Sequence, residues 1–187
     1  MDHFGGQVIS MGSLVFVVGG AASGKSAYAE RLVRALGKPK TYIATLQAFD
    51  DEMHDKIAKH RRDRGADWTT IEAPLDVYGP LSQIDASHVV LLDCVTLWLT
   101  NVMLAEKDID SEIETLLGAI RSTQCDVVVV SNEVGMGIVP DNALSRRFRA
   151  AQGGLNQRLS RVADTVVTVI AGLPLALKGN LPVIYDQ

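Results

Sequence analysis

From Leu14 onward, short unbroken apolar runs alternate with stretches in which apolar residues recur every three or four positions. The runs are Leu14–Val18, Thr41–Thr45, Val89–Leu92, Val127–Val130 and Val166–Ile170, and they are rich in Val and Ile. A strand with one wet face would place a polar residue at every second position. Near-continuous runs instead predict strands covered on both faces, as in a parallel sheet flanked by helices. Between them, residues 26–36 carry Tyr28, Leu32, Ala35 and Leu36 on one helical face. Residues 111–121 carry Ile113, Leu116, Leu117 and Ile120, and residues 142–163 carry Leu144, Phe148, Leu155, Leu159 and Val162. Ser111 with Glu114 three positions on predicts a capping box that starts the second of these helices. Gly153-Gly154 predicts an interruption of the third. Strands alternating with helices predict one α/β domain over residues 13–187, with right-handed crossovers. The Gly172-Leu173-Pro174 turn predicts that the C-terminal segment folds back as an antiparallel edge strand. Residues 1–12, with three glycines and no period, read as an N-terminal extension.

The sharpest local signal is Gly19-Gly20-Ala21-Ala22-Ser23-Gly24-Lys25-Ser26, which satisfies the full phosphate-loop pattern G-x-x-x-x-G-K-[ST]. A predicted strand precedes it and a predicted helix follows it, so the domain reads as P-loop NTPase-like. The glycines let backbone N–H groups converge on phosphate oxygens, and the helix N-terminus adds partial positive charge. Lys25 is suited to the β and γ phosphates, and the Ser26 hydroxyl to a Mg²⁺ ion. Such a site also wants a carboxylate at a strand end for the metal. Asp93, after Val89–Leu92, is favoured, and Glu133, after Val127–Val130, is its rival. No N-K-x-D guanine-reading motif of a regulatory GTPase is present. A small-molecule kinase would place extra cations over the transferred phosphate, and Arg146, Arg147 and Arg149 are candidates; a solvated helix face accounts for them equally well.

The segment from Phe49 to Arg64 begins acidic and ends basic, an order that complements a helix macrodipole and predicts a helix over 51–63. Met53, Ile57 and His60 share one stripe of it, with Lys56, Lys59, Arg61, Arg62 and Arg64 around them. A histidine among cations is biased toward the neutral imidazole, which is nucleophilic toward phosphorus. The residues alone leave open a helix-border histidine beside a solvated face.

Composition narrows the classes. The chain has 187 residues, 18 Lys plus Arg against 22 Asp plus Glu, and a net charge of -4, which disfavours general nucleic-acid binding. Aromatics at 5% are too sparse for base-stacking platforms. Cys94 and Cys125 form no CxxC pair, which suits a reducing cytoplasm and two small buried thiols. The longest apolar run, Val166 to Leu177, holds Gly172 and Pro174 and is too short to span a bilayer. Leu14–Val18 is not a signal-peptide core, since Asp2 and no Lys or Arg precedes it.

Several strings together resemble one family, the bifunctional adenosylcobinamide kinase / adenosylcobinamide-phosphate guanylyltransferases of cobalamin assembly. They are Gly19–Ser26 after a strand, Tyr42-Ile43-Ala44-Thr45, Asp51-Glu52-Met53 leading to His60-Arg61, and Trp68 with Glu72. Ser131-Asn132-Glu133-Val134-Gly135-Met136-Gly137-Ile138-Val139-Pro140, Gly154-Leu155-Asn156-Gln157 and Ala171-Gly172-Leu173-Pro174 complete the set. The resemblance implies two reactions. A nucleoside triphosphate, ATP or GTP, phosphorylates the aminopropanol hydroxyl of adenosylcobinamide. GTP then guanylylates a histidine, and the GMP passes to adenosylcobinamide phosphate, giving adenosylcobinamide-GDP. It implies His60 as that nucleophile. It implies that Ile43, Ala44, Thr45, the stretch His60, Arg61, Arg62 and Asp63, with Glu72 and Asp93, lie near the guanine nucleotide. It also implies a homotrimer with active sites between subunits. The chain departs from the family in having Lys59 before His60, where some members have a second histidine, and Ala22 where members often carry Arg. A monofunctional P-loop kinase and a nucleotide-dependent regulatory protein are the rival readings.

Overall fold

The computed structural model describes residues 12–47 and 65–184. The expectations for residues 1–11 and for the helix over 51–63, with His60, Arg61, Arg62 and Asp63, lie outside the described residues.

In chain order the described elements are β1 (Leu14–Gly19), α1 (Lys25–Ala35), β2 (Lys40–Ala44), β3 (Trp68–Glu72), α2 (Tyr78–Gln83), β4 (Val89–Asp93) and α3 (Val95–Leu104). They continue with α4 (Ile109–Ser122), β5 (Asp126–Asn132), α5 (Ala143–Val162), β6 (Thr165–Ile170) and β7 (Leu173–Lys178). One seven-stranded sheet runs β3-β2-β4-β5-β1-β6-β7. The pairs from β3 to β6 are parallel, and β7 returns antiparallel on β6, as the turn signal predicts. Ala171 and Gly172 form the loop of that hairpin, both at positive φ (52 and 80), the requirement of a tight turn matched to strand twist.

Every residue of β1 is buried. Alternate side chains divide the core in two. Leu14, Phe16, Val18, Leu92, Val127 and Val129 pack with α3, α4 and α5 on one face. Val15, Val17, Leu91, Val128, Val130 and Val169 pack with Tyr28, Leu32 and Val33 of α1 on the other. Both faces are therefore apolar, which explains the unbroken runs. Each fully buried Leu or Phe contributes about 1.5–3 kcal/mol of transfer free energy.

Several boundaries differ from expectation. α4 begins at Ile109, because the Asp108 carboxylate accepts from Ser111 N at 2.8 Å and caps the helix three residues before the expected Ser111 cap. α5 runs through Gly153-Gly154 as one 20-residue helix. Buried Gln152, Leu155, Asn156 and Leu159 anchor it on both sides of the glycines. α3 follows β4 with Cys94 alone between them and is apolar on most of its surface, so it shows no amphipathic stripe. β3 is an edge strand with exposed Thr69 and half-buried Ile71, and lacks the apolar run of the interior strands.

Candidate active site

The carboxyl ends of the parallel strands bring the site together. Gly19 is paired with Asn132, Asp93 with Ala44 and Val130, and Ala44 with Glu72. The phosphate loop, Ala44, Glu72, Asp93 and Asn132 thus rim one edge of the sheet, where α/β folds bind ligands.

The loop leaves β1 at Gly19 and enters α1 at Lys25. Gly24 caps the helix at φ 91, and Ala22 also lies at positive φ (54). A Cβ at Gly19 would sit 2.6 Å from both Ser23 Oγ and Val169 O, so only glycine fits. Ser23 N donates to Gly20 O at 3.3 Å, closing the loop. The β6–β7 turn buttresses it from outside: Gly172 N donates to Ser23 O at 2.8 Å, and a Cβ on Gly24 would lie 3.1 Å from Gly172 Cα. Lys25 is buried, and its ammonium donates to Gly20 O at 3.2 Å, folded onto the loop that it would serve. Ser26 is half-buried in the first turn of α1.

Asp93 falls on the α1 side of β4, two positions beyond Leu91 on that face. The next residue reports its field. Burial, and then the Asp93 carboxylate, push the Cys94 thiol up to about 11, while the Lys25 ammonium pulls it down. Lys25 and Asp93 therefore act on the same small region. Glu133 differs: its carboxylate accepts from Gly135 N at 2.5 Å, within its own loop. Its backbone N–H donates to Gly19 O at 3.0 Å. Both thiols are free and buried.

The segment at the end of β2 is firmly built. Ile43 is wholly buried in the core on the α3–α5 side, and Ala44 packs on the α1 side. The buried Thr45 hydroxyl donates to Cys94 O at 2.7 Å and accepts from Cys94 N at 3.0 Å, while Asn101 Nδ2 donates to Thr45 O at 2.8 Å. Thr45 thus locks β2 to the start of α3 just past Asp93. Glu72 is exposed at the end of β3.

The candidate arginines are placed differently from one another. Arg146 donates to Pro140 O (2.9 Å) and Asp141 O (2.6 Å), and Arg149 to Ile138 O (3.5 Å), so both hold the loop that follows β5. Arg147 lines a cleft of about 410 Å³ between the start of α4 and the middle of α5, beside Arg158. Among the described residues no three His, Cys, Asp or Glu side chains gather as a metal cluster. A divalent ion at this rim would find Ser26 and Asp93 as hard oxygen donors. That sparse set suits an ion held mainly by phosphates and water.

The family model described as "Cobinamide kinase / cobinamide phosphate guanyltransferase" matches residues 15–177. The chain belongs to that family. It is similar to the bifunctional adenosylcobalamin biosynthesis protein CobP of Pseudomonas aeruginosa, at 44% identity over 88% of this chain and 96% of that protein. The corresponding CobU of Salmonella typhimurium is 40% identical over 88% of this chain and 99% of its own length. Among solved structures, the flagellar accessory protein FlaH from Methanocaldococcus jannaschii aligns over 92% of this chain and 80% of that one, at 16% identity and a TM-score of 0.49. The family match runs from the second residue of β1 to the next-to-last residue of β7. Sequence reasoning named no role for Asn132, which the structure brings to this rim opposite Gly19. Its signal is a polar residue ending an apolar run.

Proposed function

We propose that this chain catalyses both reactions of its family, phosphorylating cobinamide with a nucleoside triphosphate and then transferring GMP from GTP to cobinamide phosphate. The observation that carries this is the complete phosphate loop between β1 and α1, at the carboxyl ends of the parallel strands, in a chain matched to the family over residues 15–177.

In the first reaction the loop N–H groups and the Lys25 ammonium hold the β and γ phosphates. The aminopropanol hydroxyl oxygen of adenosylcobinamide forms a bond to γ phosphorus, the bond to the β-bridging oxygen breaks, and the nucleoside diphosphate leaves. The Ser26 hydroxyl and the Asp93 carboxylate would hold a Mg²⁺ ion, which would supply neutralisation of phosphate charge. Asp93 is preferred to Glu133 because it ends β4 on the α1 face of the sheet, beside Ala44, whereas the Glu133 carboxylate turns back onto Gly135 N of its own loop. In the second reaction a His60 nitrogen attacks the α phosphorus of GTP and expels pyrophosphate. A phosphate oxygen of adenosylcobinamide phosphate then attacks that phosphorus, and the P–N bond breaks. Ile43, Ala44, Thr45 and Glu72 are assigned to the guanine nucleotide; Ala44 pairs with Asp93 on one side and Glu72 on the other at the strand ends, which supports that reading. Arg61, Arg62 and Asp63 are assigned to the same nucleotide beside His60.

The protein is further assigned to the cytoplasm and to a homotrimer. The outward side chains of the β7 edge, Leu173, Leu175 and Leu177, are apolar and exposed, which supports a further protein surface against them. Among the described residues no helix is long and apolar enough to cross a membrane.

The test is transfer of label from γ-labelled GTP or ATP to adenosylcobinamide, followed by release of pyrophosphate when GTP meets the phosphorylated product. Both products are expected. A protein that turns over nucleotide yet labels neither cobinamide species would overturn the reading.

A further inference from the structure

β5 ends in two polar residues that the reactions above do not use. Ser131 falls on the face of α3, α4 and α5, whereas Asn132, one residue on, falls on the α1 face with Val128 and Val130. Ser131 Oγ donates to Asn156 Oδ1 at 2.6 Å and accepts from Gln152 Nε2 at 2.8 Å. Ser131 and Gln152 are wholly buried, and Asn156 nearly so. The same network grips the Asn132 backbone. Asn156 Nδ2 donates to Asn132 O at 3.1 Å, and Asn132 N donates to Thr96 Oγ1 at 2.8 Å. A residue at a strand end ordinarily has freedom; this one is fixed by side chains from two helices.

What that scaffold presents is an unused acceptor. Asn132 Oδ1 is closed to solvent and has no hydrogen-bond partner among the described residues. Buried side-chain oxygens are nearly always bonded, to protein or to ordered water, so an orphan on a backbone fixed this firmly marks a place for a partner. Asn132 is paired with Gly19, on the face that carries Lys25 and Asp93. Phosphate oxygens are acceptors too and give Oδ1 nothing. An acceptor takes a donor, and of the reactants that meet at γ phosphorus the acceptor alcohol is the one that carries an O–H.

We propose that Asn132 is a catalytic residue of the kinase step, its Oδ1 accepting a hydrogen bond from the substrate hydroxyl and aiming that oxygen at γ phosphorus. The proposal rests on the kinase reading above. Gln152, Asn156 and Thr96 are positioning residues that act through Asn132. The alcohol oxygen forms its bond to γ phosphorus and the β-bridging P–O bond breaks. The nucleoside diphosphate leaves with the electron pair, and the hydroxyl proton passes to a phosphoryl oxygen and on to solvent. Attack on α phosphorus involves no hydroxyl, so the guanylyl half-reaction does not need this contact.

The experiment compares wild type with Asn132→Ala in three assays: phosphorylation of cobinamide, GTP affinity, and labelling of the protein by α-labelled GTP. Phosphorylation, as kcat/KM for the alcohol, is expected to fall about a hundredfold, as when one preorganised hydrogen bond is lost. GTP affinity and protein labelling should stay within about threefold. Should Asn132→Ala not fold, Asn132→Ser, which keeps a short acceptor, is expected to show the same split at smaller amplitude. Unchanged phosphorylation overturns the proposal. So does a parallel loss of all three readouts, which would make Asn132 a brace of the loop alone. Wild type that labels no cobinamide would be a failure of the kinase reading itself, visible before any variant is compared.

Discussion

Gly24 holds a backbone conformation that side chains rarely adopt, φ 91, with Gly172 packed against it. Gly24→Ala would cost about 1–2 kcal/mol in that conformation and push the β6–β7 turn off the loop. GTP affinity is therefore expected to drop roughly tenfold or more, with far-ultraviolet circular dichroism unchanged; equal affinity would show that the loop tolerates a Cβ. Cys94 makes a second prediction. Its thiol, pushed up from 9.0 to about 11, is neutral at physiological pH and reacts poorly with alkylating reagents until the chain unfolds. The sign follows from linkage. Below pH 9.0 both states keep the proton, but between 9.0 and about 11 the unfolded thiol ionises first. Stability should fall over that window, and Cys94→Ala should flatten the fall in urea titrations at rising pH. At this scale the phosphate loop was legible in full, because its chemistry dictates its residues. Asn132 was not, because every buried strand must surface into polar residues, and only burial distinguishes an orphan from an ordinary end.

At the scale of elements, the five interior strands followed from their apolar runs, since burial on both faces removes the need for alternation. β3 escaped because an edge strand needs only partial burial: Trp68 packs edge-on to Tyr42, with ring centroids 6.3 Å apart, while Thr69 faces water. α3 escaped because it is buried on nearly every side and has no polar face to set a period. α5 shows tertiary contacts overriding propensity. Nothing lies within 4 Å of a Cβ added at Gly153, and its φ is not positive. Gly153→Ala is accordingly expected to stabilise the protein by about 0.5–1 kcal/mol, read as a higher midpoint in urea with an unchanged slope. A lower midpoint would mean that the helix needs a kink at that place.

At the scale of the molecule, the carboxyl ends of the parallel strands gather the phosphate loop, Ala44, Glu72, Asp93 and Asn132, while β7, whose turn packs on that loop, bears the exposed Leu173, Leu175 and Leu177 along the lateral edge of the sheet. The homotrimer assignment predicts a solution mass of three times 20.2 kDa by light scattering. Replacing Leu175 with Glu should lower it if β7 lies in the contact; a chain that runs as a monomer at all concentrations would contradict the assignment. The measurement that bears most directly on the central claim uses GTP labelled on the α phosphate, without cobinamide, on wild type and His60→Ala. Wild type should retain label through a bond labile to acid and stable to base. His60→Ala should retain none, yet still phosphorylate cobinamide. Nucleotide binding without any protein-bound label in wild type would contradict the guanylyltransferase half of the account and leave a plain kinase.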